Sequence, residues 1–314
     1  MSSDTLRKKS LLLLFPALAA VWLCVYTVTA TRAQQPQQDE DDEVVRVESD
    51  LVVLNVTVTD KQGQFVGKLP RSEFKVFEDG REQPINTFLL EETPFAAAIL
   101  IDTSGSMDGR MTLARAAAIR FLDGLREDDV AAVYNFDSKV EQVQDFSHGR
   151  DLPPTTYGLK ARGMTALNDA VARAAADLSK RPEKRRAIVV ISDGADTHSR
   201  ISQDKALDHA LAAGATIYAV DMAGNETPVA SRVASASALK NFAAKSGGRY
   251  VPTPGGQALS DAFEAIVAEL SNQYTIGYRP TNRARDGRWR SIELKLARTE
   301  LEARTRKGYK APKS

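Results

Sequence analysis

Two unbroken apolar runs, Ala96–Ile101 and Ala187–Ile191, constrain this chain more than any other feature, because neither offers a polar side chain to turn toward water. A strand with no polar face has to be covered on both sides, which is what helices do for a parallel sheet. Three helical stripes supply that cover. Ala114, Ala117, Ala118, Phe121, Leu122 and Leu125 recur at helical spacing, as do Leu167, Ala170, Val171, Ala174, Ala175 and Leu178, and again Leu259, Ala262, Phe263, Ile266, Val267 and Leu270. Each set draws one apolar line along a helix. Val130–Phe136, Val140–Val143 and Thr216–Val220 read as further strands. Residues 94–272 are therefore expected to form a doubly wound α/β domain with a mostly parallel sheet.

The flanks follow a different rule. Val52, Leu54, Val56 and Val58 alternate with Val53, Asn55, Thr57 and Thr59, and Phe74–Phe77 and Pro84–Leu90 are strand-like, so 44–93 implies a short antiparallel sheet. Residues 273–314 return to this pattern in Tyr274–Tyr278, in Ile292, Leu294 and Leu296, and more weakly in Leu301–Arg306. Neither piece is large enough to bury a core alone. The two are expected to pair into one small β-sandwich with the α/β domain inserted between its strands.

With 314 residues, 43% of them hydrophobic, the chain has ample material for two domains. Lys and Arg total 42 against 41 Asp and Glu, which gives no reason to expect nucleic acid as a partner. Arg7, Lys8 and Lys9 precede Leu11–Ala30, which has no charge, and Thr31-Arg32-Ala33 follows, with small residues suited to cleavage after Ala30 or Ala33. Residues 1–33 thus read as a signal peptide or an uncleaved N-terminal membrane anchor. Either puts the remainder outside the cytoplasm: periplasmic, extracellular, or anchored to the outer face of the cytoplasmic membrane. Cys24, the single cysteine, lies inside this run behind bulky Trp22 and Leu23, which argues against lipidation and leaves the exported part without thiol chemistry. Loss of 1–33 removes Arg7, Lys8, Lys9 and Arg32 together with Asp4, taking the net charge from +1 to −2. Residues 34–43 hold no apolar side chain and read as a polar, acidic linker.

The acids at the two apolar strand ends carry the chemistry. Ala96–Ile101 stops at Asp102, with Ser104 and Ser106 at alternate positions; Ala187–Ile191 stops at Ser192-Asp193-Gly194. Between them, Gly163-Met164-Thr165 enters a helix and presents a hydroxyl. Ligands of doubly wound sheets sit outside the carboxyl ends of the strands. Hard oxygens alone suit Mg²⁺ or Mn²⁺ better than zinc or copper. Asp102-x-Ser104-x-Ser106, Thr165 and Asp193 together resemble the metal-ion-dependent adhesion site of von Willebrand factor A domains. The flanking Asp60-x-x-Gly63, Phe74-x-Val76-x-Glu78-Asp79-Gly80 and Arg306-Lys307-Gly308-Tyr309 are similar to a bacterial VWFA-related family, often acidobacterial. The resemblance implies a six-stranded sheet in which the strands bearing Asp102 and Asp193 are neighbours. It also implies Ser104, Ser106 and Thr165 as direct hydroxyl ligands, with the two acids acting directly or through water.

Two carboxylates and three neutral hydroxyls leave such an ion short of anionic donors, so an Asp or Glu from a protein partner is expected to complete it. The expected function is a metal-dependent adhesion module and not an enzyme. A metal-free scaffold, with Ser104 and Ser106 merely capping their loop, is the first alternative. A metal-assisted hydrolase is the second. Against the latter, Gly105-Ser106-Met107-Asp108-Gly109 departs from the G-x-S-x-G elbow, spacing puts none of His148, His198 or His209 beside Ser106, and no phosphate-binding glycine motif is present. Asp108 reads as a solvated carboxylate, and Asp137 and Asp221 as turn or cap residues. From Tyr274 onward twelve basic side chains face four acidic ones, a net of +8, which reads as a solvated face or a contact with an anionic envelope surface. Asn55-Val56-Thr57 and Asn225-Glu226-Thr227 match the glycosylation sequon.

Overall fold

In chain order the strands are β1 (Val52–Thr59), β2 (Phe74–Glu78), β3 (Arg81–Gln83), β4 (Ile85–Leu89), β5 (Phe95–Asp102), β6 (Val130–Phe136), β7 (Val140–Ser147), β8 (Arg185–Ser192), β9 (Ala215–Asp221), β10 (Tyr250–Val251), β11 (Tyr274–Tyr278), β12 (Trp289–Leu296), β13 (Glu302–Arg304) and β14 (Gly308–Lys310). The helices are α1 (Met111–Asp123), α2 (Leu167–Ser179), α3 (Gln203–Ala212), α4 (Val229–Ser246) and α5 (Gln257–Ser271). This computed structural model describes residues 51–89, 93–150, 152, 161–193, 195–224, 227–252 and 257–313. The 1–33 segment with Cys24, the 34–43 linker and Asn225 of the second sequon lie outside the described residues.

The two apolar runs become β5 and β8, parallel neighbours at the middle of a six-stranded sheet of order β10-β9-β8-β5-β6-β7. All neighbours in it are parallel except β7, which runs antiparallel to β6. Every residue of β5 is buried, and successive side chains serve opposite faces. Ile99 and Ile101 join the core under α1 and α5, with Phe121 and Phe263. Ala98 and Leu100 join the core under α2, α3 and α4, with Val171, Leu207 and Phe242. Each buried Ile, Leu, Val or Phe contributes about 1.5–3 kcal/mol relative to exposure, so the strand register is strongly held. Leu100 stands opposite Val190 and Ile101 opposite Ile191, which brings Asp102 and the Ser192-Asp193 pair out at one edge.

Helices α3 and α4 are additions to the three expected from periodicity. α4 buries Ser235, Leu239, Phe242, Ala243 and Ser246, a face too small and polar to stand out in sequence. It ends at Gly247, whose φ of +82° is the left-handed helix stop that glycine supplies.

The flanking strands build two four-stranded sheets of order β13-β1-β11-β4 and β14-β12-β2-β3. Both mix N- and C-terminal segments: β1 pairs antiparallel with β11, Val52 opposite Tyr278, and β2 with β12, Phe74 opposite Leu296. The N-terminal strands thus do not form one short sheet of their own; they divide between two sheets that share a single core containing Leu54, Val56, Val76, Tyr274, Ile276 and Ile292. Phe74 of one sheet packs on Tyr274 of the other, ring centroids 5.0 Å apart. Asn55 of the first sequon is half-buried within β1.

Several C-terminal cations expected on a solvated face are buried or half-buried instead. Arg290 is buried and its guanidinium donates to Asp286 at 3.0 Å, while Arg306 donates to the Leu211 carbonyl at 3.0 Å. Arg304 pairs with Glu269, a carboxylate only 1% exposed that also accepts Thr57 Oγ1 at 3.0 Å and Tyr218 Oη at 2.9 Å. Gln273 Nε2 donates to both of those hydroxyls. This buried hub ties α5 and β9 of the α/β part to β1 and β13 of the sandwich, and residues 49–314 form one compact unit. Among the described residues no helix is long and apolar enough to cross a membrane.

Candidate metal centre

At the end of β5 the chain leaves the sheet in steps fixed by hydrogen bonds. Thr103 N–H donates to the Phe136 carbonyl at 2.8 Å, and Ser104 N–H turns back onto Asp102 Oδ1 at 2.8 Å. A single 3₁₀ turn, Gly105–Met107, follows, anchored by the fully buried Met107. Ser104 occupies the N-cap position of that turn, yet its hydroxyl makes no cap bond. It shares a hydrogen bond with Ser106 Oγ at 3.0 Å instead, and Ser106 Oγ donates to Asp193 Oδ1 at 2.6 Å. Simple loop capping therefore does not account for the two serines.

Asp102 is fully buried, and its second oxygen accepts Ser192 Oγ at 2.5 Å. Burial pushes its carboxyl up to about 6; the Ser104 and Ser192 bonds pull the other way, and the nearby Asp193 adds a smaller upward push. Asp102, Ser104, Ser106 and Asp193 thus form one bonded chain across the β5–β8 seam. Ser106 is its exposed member; the other three are buried.

Thr165, also buried, lies in a loop whose backbone is bonded to the turn that carries the serines. On one side Gly105 N–H donates to the Gly163 carbonyl at 3.2 Å, Arg162 N–H to the Thr103 carbonyl at 2.9 Å, and Met164 N–H to Ser138 Oγ at 3.0 Å. On the other, Thr165 N–H donates to Thr197 Oγ1 at 3.0 Å, and its carbonyl accepts the amides of Thr197 and His198. Asp196 completes the brace by accepting Asn168 N–H at 2.7 Å and Ser199 N–H at 3.0 Å.

These donors fit a small hard cation. An octahedral ion with bonds of 2.0–2.1 Å sets adjacent oxygens about 2.9 Å apart, and the two serine hydroxyls are 3.0 Å apart. Among the described residues no group of three or more His, Cys, Asp or Glu could hold an ion.

One participant was not foreseen. Arg110, just after the turn, sets its guanidinium on Asp193 Oδ2 and donates to the Ser106 carbonyl at 3.2 Å. A single Arg in a loop carries no sequence signal for this role. The remaining candidates lie outside this bonded chain. Asp108 is exposed, Asp137 closes a turn onto Lys139 N–H at 2.9 Å, and Asp221 accepts Ala223 N–H and Tyr250 Oη. His148 contacts the Asp129 carbonyl, His198 is exposed, and His209 lies in the last turn of α3.

A doubly wound sheet with paired hydroxyls and carboxylates at its switch point defines a class of ligand-binding α/β domains. Residues 97–195, from within β5 to just past β8, match the family model of the von Willebrand factor type A domain. Among solved structures, the chain is similar to a von Willebrand factor type A protein from Catenulispora acidiphila, at 14% identity over 85% of this chain and 74% of that one, TM-score 0.48. It is similar to the PilB minor pilin from Streptococcus sanguinis at 17% identity over 61% of this chain, TM-score 0.44, and spans only 63% of that protein's chain. It is also similar to the vWF domain of the type V pili tip protein Mfa5 from Porphyromonas gingivalis, at 15% identity over 56% of this chain and 94% of that one, TM-score 0.44. No curated protein matches it significantly.

Proposed function

We propose that this chain is an exported, divalent-cation-dependent protein-binding module and not an enzyme. The observation that supports the reading is the bonded run Asp102–Ser104–Ser106–Asp193, in which the serine hydroxyls converge on one another and on a carboxylate and not on backbone amides. Ser104, Ser106 and Thr165 are the hydroxyl ligands of Mg²⁺ or Mn²⁺ in this reading, with Asp193 close by. Asp102, whose oxygens already accept Ser104 N–H and Ser192 Oγ, acts through water. When bound, the cation supplies a Lewis-acidic position that accepts a carboxylate from a partner protein. Ser106, the exposed member, marks the side on which that Asp or Glu arrives. Export rests on the basic flank and apolar run of residues 1–33, which also allows an N-terminal anchor in the membrane.

Calorimetry of Mg²⁺ on the full chain and on Asp102→Ala tests the site, with loss of binding expected in the variant. Unchanged affinity would sink the assignment. Recovery of partners from envelope extract with and without chelator tests the module: partners lost on chelation support it, and identical recovery favours the metal-free scaffold.

A further inference from the structure

The two oxygens of Asp193 have different partners. Oδ1 accepts Ser106 Oγ at 2.6 Å, and Oδ2 is held by the Arg110 guanidinium. The Asp193 side chain is wholly enclosed, and that of Arg110 is 14% exposed, so the pair is little screened by water. Arg110 also donates to the Ser106 carbonyl and is the N-cap residue of α1. A fixed cation is therefore attached to the very loop that carries both serine hydroxyls, and it sits on one of the two carboxylates. With it, the formal charge of Asp102, Asp193 and Arg110 together is −1 where the two acids alone make −2. A second cation brought to the same carboxylate meets strong repulsion at such separations.

We propose that Arg110 is an internal competitor for the divalent cation: its guanidinium holds Asp193 when no ion is bound and gives up that carboxylate when one binds. The proposal rests on the metal reading above. Its consequences are a site kept folded without metal and an affinity for metal set below what the oxygens alone would give. The released guanidinium stays four residues from Ser106, where it adds positive charge at the rim that meets an acidic partner.

The test is Mg²⁺ calorimetry and thermal melting in chelator on the full chain, comparing wild type, Arg110→Gln and Arg110→Lys. Arg110→Gln is expected to bind Mg²⁺ about tenfold more tightly and to melt lower in chelator, because Asp193 then lies buried without its counter-charge. A merely structural arginine lowers melting without tightening binding. Arg110→Lys, whose ammonium is a point charge that cannot grip Asp193 and the Ser106 carbonyl as a planar fork does, gives a smaller shift in the same direction. It keeps the test available if the Gln variant does not fold. Equal or weaker Mg²⁺ binding by these variants, with wild-type binding intact, overturns the role of Arg110. Absence of Mg²⁺ binding in wild type and variants alike overturns the metal reading itself, and this proposal with it.

Discussion

Ser192 Oγ donates to Asp102 Oδ2 at 2.5 Å across the seam where β8 lies beside β5. The bond helps to hold a carboxylate that burial nevertheless pushes up to about 6. An acid whose pKa is raised on folding binds more protons folded than unfolded between about pH 4 and 6, so stability falls as pH rises through that window. At 1.36 kcal/mol for each pH unit between the ordinary 3.8 and about 6, the loss is on the order of 3 kcal/mol. Wild-type protein in chelator should melt higher at pH 5 than at pH 7.5, and Asp102→Asn should remove most of that difference. A wild-type melting temperature that rises over the same interval would contradict the shift.

Asp196 caps α2 from a neighbouring loop, since its carboxylate accepts Asn168 N–H while Ala166, at the N-cap position, makes no side-chain bond. Asp196→Ala should cost about 1 kcal/mol, the usual loss for a helix cap. It should also weaken Mg²⁺ binding by loosening the Thr165 loop, with partial recovery in Asp196→Asn. Calorimetry beside melting checks both, and full-strength binding in the Ala variant would show that the brace does not serve Thr165.

Gly163 has φ +76°, and a Cβ there would lie 2.8 Å from Ser138 Oγ, the group that accepts Met164 N–H. Gly163→Ala is therefore strained twice over, and a loss of at least ~1 kcal/mol is expected. The displaced loop carries Thr165 with it, so Mg²⁺ affinity should fall more in this variant than in Gly214→Ala, where φ is +67° but the space is open. Equal affinities in the two would refute the coupling.

Glu269 links the two parts of the molecule. Removing it leaves Arg304 without its counter-ion and the hydroxyls of Thr57 and Tyr218 without their acceptor. Because Arg304 is 34% exposed and can be partly hydrated, the loss should fall below the roughly 3–5 kcal/mol of breaking a fully buried pair, and Glu269→Ala should lower the melting temperature by several degrees. The Glu269→Ala, Arg304→Ala double variant should cost less than the two single losses added, because each removes the same interaction. Strict additivity in that cycle would show the pair to be uncoupled.

What the sequence disclosed follows the range over which each signal acts. The apolar runs ending at Asp102 and Asp193 are local patterns, and the sheet edge they share follows from them. The three expected helices bury large residues at regular spacing, whereas α4 is built on Ser and Ala and buries only two large side chains, Leu239 and Phe242. β3 and β14 are three residues long, too short for an alternating pattern to register, and the equally short β13 shows only as the weak Leu301–Arg306 signal. Arg304 and Arg306 read as solvated because a charge signals water unless its partner is known, and Glu269 and Leu211 are partners only in three dimensions; Arg290 pairs with nearby Asp286, but its burial is set by the fold. Arg110 eluded the reading for the same reason: its place on Asp193 depends on where the 3₁₀ turn aims the chain.

The interleaving of the sandwich also sets an order of events as the chain is made. Strands β1 and β2 emerge first, yet their neighbours β11 and β12 come some two hundred residues later, after the whole α/β part. The contacts of β5, β6 and β8 with their helices are closer in sequence and can form sooner, while pairings of such high separation are slow. Until β11 and β12 arrive, β1 and β2 present unpaired backbone and the apolar side chains of Leu54, Val56 and Val76, the kind of edge that invites association with other chains. A chain cut after α5 would therefore be left with its domain complete and its first strands adhesive in an unintended sense.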